Sequence, residues 1–159
     1  MMLATYCHVP TQGHLILDCS TAPGWRLRAT PDVFELYVGD ASFANHARRA
    51  FRNYLGSNAS ADSDIDAAEL IFGELVANVA RHAPGALQVT LSWIDEGALL
   101  EVQDTGPGFD RTIELPGANA ENQRGLYIVS VMASSFTQRP HPDGSVVIVA
   151  LPVRKARPA

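Results

Sequence analysis

Glu74 and Asn78, in the run ELIFGELVANVARHAPG, lie four residues apart, so a helical period of 3.6 sets a carboxylate and an amide on one face. A carboxylate so placed can hold a hydroxyl or a water for attack, and an amide oxygen is the hard kind of ligand that magnesium takes. Some twenty residues on comes DTGPGFD. Leu100, Val102 and Asp104 alternate with Glu101 and Gln103, so the strand that buries the two apolar residues should aim Asp104 into the same interior. A lone buried carboxylate is costly. The cost vanishes if a ligand brings hydrogen-bond donors, and Gly106 and Gly108 would let that ligand lie close to the backbone. Adenine fits that description.

These residues need elements to hold them. Ile71, Leu75 and Val79 form the apolar stripe of a central helix that begins near residues 62–66, where carboxylates favour the positive end of the dipole. It ends at His82-Ala83-Pro84-Gly85, because proline forbids continuation. His82 reads as a helix end. An earlier helix, capped by Asp40 or Ser42, presents Phe43, Ala47, Ala50, Phe51 and Leu55 before Gly56, and residues 57–63 read as a polar loop. Leu87, Val89, Leu91 and Trp93 alternate with polar residues as a half-buried strand, and Asp95-Glu96-Gly97 turns the chain into the strand Leu99–Gln103 that carries Asp104. Residues 106–123 show no sustained period and contain Pro107, Gly108, Pro116 and Gly117, which suggests a loop covering a site. Gly125–Met132 reads as a helix, and residues 136–139 and 145–151 as the last hairpin. Residues 14–19 and 25–29 read as an extra hairpin ahead of a strand at 33–38. Trp25 and Trp93 read as core or hairpin packing.

Taken in order, ELVANVARHA, DTGPGFD and QRGLYIV resemble the N, G1 and G2 boxes of the GHKL ATPases, the superfamily of gyrase and the histidine kinases. The likeness is strongest to the small anti-sigma-factor serine kinases and covers roughly residues 31–153. One departure is plain: the last box of that subfamily reads G-x-G-L, and Gln123 stands where the first glycine belongs. A side chain there would crowd the phosphates or demand positive φ from a residue that tolerates it poorly, which bears on phosphate handling more than on adenine.

The resemblance implies an α+β, two-layer α/β sandwich, the Bergerat fold, with a mixed, mainly antiparallel sheet covered on one face by helices and a short ATP lid. It divides the chain into an extension over residues 1–30, an ATPase domain over 31–153 and a basic tail over 154–159. It implies ATP and Mg2+ as cofactors, with Asn78 on the metal and Glu74 as general base. Arg81, Asp104, Gly106, Gly108, Arg124, Gly125 and Leu126 complete the nucleotide site. The phosphates should rest against lid amides and the helix start at Gly125, where unpaired N–H groups favour anions. Arg81, seven residues from Glu74, can serve a phosphate or a carboxylate, or form an ordinary helix-face ion pair. Arg124 reads equally as a phosphate ligand or a solvent-exposed lid residue.

The chain has 159 residues, 47% of them hydrophobic, which suits one globular domain that buries its core without staples. A net charge of −5 with no cationic helix face disfavours capture of nucleic acid or an anionic membrane. Arg154, Lys155 and Arg157 read as a solvated end. Cys7 and Cys19 have neither a metal spacing nor a disulfide framework around them. With no signal-like N-terminus and no apolar run of membrane length, the expected location is cytoplasmic.

The function expected from the family is a kinase that phosphorylates a serine or threonine of a small antagonist protein and sequesters a sigma factor. A histidine kinase would bring a dimerisation helix pair for which this length leaves no room. The alternative is a non-catalytic, ATP-dependent protein-binding module of the same fold, in which nucleotide orders the lid. Gln123 favours the module; Glu74 and Asn78 favour the kinase. A homodimer is left open.

Overall fold

Among the described residues six strands present one apolar face, and two of the three helices that cover them carry long apolar stripes. The computed structural model describes residues 25–39, 44–82, 86–104, 124–142 and 144–158. The elements run β1 (Trp25–Ala29), β2 (Val33–Val38), α1 (Ala44–Asn58), α2 (Ile65–His82), β3 (Leu87–Ile94), β4 (Gly97–Asp104), α3 (Arg124–Met132), β5 (Ser135–His141) and β6 (Gly144–Arg154). The strands form one sheet in the order β1-β2-β3-β4-β6-β5. Every pairing among them is antiparallel, where the family likeness allowed a mixed sheet.

One face of this sheet is apolar. Leu27, Phe34, Leu36, Val38, Leu87, Val89, Leu91, Leu100, Val102 and Val149 point toward the helices and are buried. Against them pack Ala47, Phe51 and Leu55 of α1, Ile71, Phe72, Leu75 and Val79 of α2, and Val129 of α3. The architecture is therefore an α+β two-layer sandwich. Phe51 and Phe72 stack with ring centres 4.3 Å apart, and Phe34 meets Phe51 edge-on at 5.8 Å, so the two long helices and β2 share one aromatic cluster. Trp93 belongs to this packing too: it is half-buried and its Nε1 donates to Tyr54 Oη at 3.0 Å.

Several boundaries differ from expectation for local reasons. α1 runs past Gly56 to Asn58, because nothing crowds that glycine and the side chains of Ser57 and Asn58 donate back to the carbonyls of Asn53 and Tyr54. β1 pairs with β2 and extends the sheet. Residues 14–19, expected to be the partner of β1, lie outside the described residues, as do the expected caps Asp40 and Ser42. Arg154 is the last residue of β6, Lys155 bridges to Ala59, and Arg157 donates to Glu96 at 2.8 and 3.0 Å. The basic end thus keeps its cationic side chains at the surface while its backbone is fastened. Among the described residues no helix is long and apolar enough to cross a membrane.

Candidate functional site

α2 starts where its sequence permits. Asp64 Oδ1 accepts the amide of Ala67 at 2.9 Å, an N-cap, and the amide of Asp64 itself donates to Pro152 O at 3.0 Å. The helix is thereby tied at its first turn to the end of β6. Its apolar stripe then sets the phase. With Ile71, Phe72, Leu75, Val76 and Val79 buried, Glu74 and Asn78 fall at the margin of the core, both half-buried, and Arg81 is exposed.

Among the described residues Glu74 faces Arg81 on its own helix and the start of α3. Arg81 Nη2 lies 4.0 Å from Glu74 Oε2 while Arg81 Nε donates to Ala77 O at 3.2 Å. On the other side Glu74 reaches α3, where its Oε2 lies 2.3 Å from the point that a Cβ on Gly125 would occupy. The structure so brings together Glu74, Arg81 and Gly125 from residues up to fifty-one positions apart. Leu126, next along α3, is half-buried and packs on the core. Arg124 opens α3, and only its backbone is described.

The second part of the site is built by strand register. β4 alternates with complete regularity, so Ala98, Leu100, Val102 and Asp104 all face inward, and Asp104 is 2% exposed. Opposite it in β6 stands Ser145, equally buried, whose hydroxyl donates to Asp104 Oδ2 at 2.5 Å. The carboxylate is therefore not the lone group that the sequence suggested. Gly144 completes the corner with φ of +153°, and a Cβ there would stand 2.1 Å from Asp104 O and 2.8 Å from Oδ1. Sequence reasoning missed both Ser145 and Gly144. The Asp143-Gly144 pair signalled a turn, but only the β4–β6 register puts it beside Asp104.

A carboxylate offers about four acceptor positions, so the side chain of Asp104 can accept from more than one donor at once, Ser145 among them. Magnesium is a different case. Among the described residues no cluster of three or more His, Cys, Asp or Glu could hold a metal ion. A cation near Asn78 would have to take most of its ligands from phosphate oxygens and water. Gly106, Gly108, Gln123 and the rest of the lid lie outside the described residues.

A family model for the histidine kinase-like ATPase domain matches residues 39–151. The chain belongs to this family. The matched span covers both parts of the candidate site, from Glu74 on α2 to Ser145 on β6. Adenine nucleotide is the ligand implied by membership. A comparison with curated proteins returns no match for this chain.

Proposed function

We propose that the protein is an ATP-dependent serine/threonine protein kinase of the anti-sigma type, which phosphorylates a small antagonist protein and sequesters a sigma factor. The observation that supports catalysis is Glu74: a carboxylate half-buried at the first turn of α3, one helical turn from Asn78. A module that only read adenine would need neither residue.

In this reading the buried carboxylate of Asp104, held by the Ser145 hydroxyl, accepts the adenine amine. Asn78 offers its side-chain oxygen to Mg2+, which when bound neutralises phosphate charge. The lid amides and the first turn of α3 receive the phosphates, with Arg124 beside them. Glu74 orients the substrate hydroxyl and takes its proton as that oxygen bonds to the γ-phosphorus; the bond from phosphorus to the bridging oxygen breaks and ADP leaves. Arg81, with Nη2 4.0 Å from Glu74 Oε2, is placed to serve that carboxylate or a phosphate. The sigma factor and its antagonist enter through the family likeness of the three boxes.

Labelled ATP, magnesium and candidate antagonists test the proposal directly. Transfer on the order of one per second or faster is the expected result. Asn78→Ala should weaken magnesium-dependent ATP binding, whereas Glu74→Gln should bind ATP nearly normally and lose transfer. Full transfer by Glu74→Gln would move the base elsewhere. The binding-module reading draws on Gln123: it expects no transfer by the wild type, and Gln123→Gly to tighten ATP relative to ADP by clearing the approach to the outer phosphates.

A further inference from the structure

Gly125 was expected to serve the phosphates, yet its nearest side-chain neighbour is Glu74. A Cβ built on Gly125 would lie 2.3 Å from Glu74 Oε2, 3.3 Å from its Cδ and 3.7 Å from its Cβ. The missing side chain is thus the space in which the Glu74 carboxylate sits. We infer that Gly125 is a positioning residue for Glu74: its bare Cα lets the carboxylate lie over the first turn of α3, and any larger residue turns that carboxylate away.

The chemistry of the clash decides what a substitution does. The atom met first is the far end of a three-torsion side chain, half-exposed, with Arg81 Nη2 at 4.0 Å. It moves at little cost, so Gly125→Ala should leave the fold intact and shift only the carboxylate. The backbone of Gly125 is ordinary helix, and alanine is the better helix former there. Gly144 shows the opposite case, where the nearest atom met belongs to the Asp104 backbone, which has less freedom to move. Loss of activity in Gly125→Ala would therefore report on where Glu74 points, not on unfolding or on the phosphate amides, which alanine retains.

The inference rests on the proposed role of Glu74 as base, and the experiment separates the two. Protein labelled with 13C at glutamate carboxyls gives a Glu74 resonance, assigned by its loss in Glu74→Gln. In the nucleotide-free protein Gly125→Ala should shift that resonance, with a melting temperature close to wild type. ATP affinity by calorimetry should change less than about threefold, and phosphoryl transfer from ATP to the hydroxyl of a candidate antagonist should fall by roughly a hundredfold, the lower end of what a positioned base supplies. An unshifted Glu74 resonance overturns the inference, as does an ATP affinity weakened tenfold with turnover at saturating ATP unchanged, which would return Gly125 to the phosphates. Should Glu74→Gln keep full turnover while the resonance still shifts in Gly125→Ala, the role as base fails and the contact stands.

Discussion

Asp104 shows how one residue's cost is shared between strand and ligand. Its carboxylate is buried and accepts from Ser145 on one oxygen, and the proposed adenine amine would be a further donor to the same group. Asp104→Asn should lose about 1.5–3 kcal/mol of ATP binding, the scale of a hydrogen bond to a charged group, measurable by calorimetry. The wild type should reject guanine, whose carbonyl would face the carboxylate; equal affinity for both purines would place the base elsewhere. Ser145→Ala removes one donor to this buried carboxylate, so denaturation should show a loss of about 1–3 kcal/mol, and the double variant with Asp104→Asn should reveal the coupling between the two side chains. Gly144→Ala meets the Asp104 backbone first and its Oδ1 next, at a φ of +153°. It should destabilise by about 1–3 kcal/mol from strain, and a stability equal to wild type in denaturant would show that this corner relaxes.

α2 is the element on which Glu74 and Asn78 depend, and its phase is set at both its ends and its sides. Asp64 caps it, its first turn hangs from Pro152 of β6, and Arg48 and Arg52 of α1 reach Glu69 and Asp66 across its exposed side, with Arg48 Nε to Glu69 Oε1 at 2.9 Å and Arg52 Nη1 to Asp66 Oδ1 at 2.7 Å. The ion pairs are solvent-exposed and contribute little each. The cap is the stronger local term: Asp64→Ala should cost about 1 kcal/mol in urea denaturation. Asp64→Asn or Asp64→Ser, which keep an acceptor, should retain most of it. A loss equal to that of alanine in all three would assign the effect to charge at the helix start.

At the scale of the whole molecule the chain closes on itself at the end of the sheet away from Asp104. The amides of Lys155 and Ala156 donate to Glu96 O and Asn58 O at 2.7 and 2.8 Å, and Lys155 Nζ pairs with Asp32. This fastens the β3–β4 turn, the end of α1 and the β1–β2 turn to one short segment. Glu96 sits at a φ of 70° and Asp95 at 48°, the left-handed pair that a tight two-residue hairpin needs and that neither side chain favours. Removing residues 155–159 should release that turn and cost about 2 kcal/mol from two net backbone hydrogen bonds and their ion pairs. For a domain of this size that is a melting temperature lower by roughly 4–8 °C. ATP affinity should hold, since the segment lies at the far end of β4; a large loss of affinity would mean that the tail supports the site from a distance.

Local pattern determined much of this protein. A 3.6-residue period put Glu74 and Asn78 on one face, a two-residue period buried Asp104 with Leu100 and Val102, and Pro84 and the Asp-Glu-Gly turn placed the boundaries between them. Three short boxes were enough to point to the family, because a helix face and a strand end carry their chemistry within a few residues. What tertiary structure alone decided are the pairings across long separations. Ser145 meets Asp104 because β4 and β6 pair in one particular register, and a slip by one residue would turn the serine to the other face. Gly125 meets Glu74 because α3 packs with its first turn against α2. The same holds for β1, which joins the sheet through β2, and for the C-terminal segment, whose cations read as a free end until its backbone partners are known. Side-chain periodicity is written within an element; which elements touch, and where, is set by how their buried faces fit together.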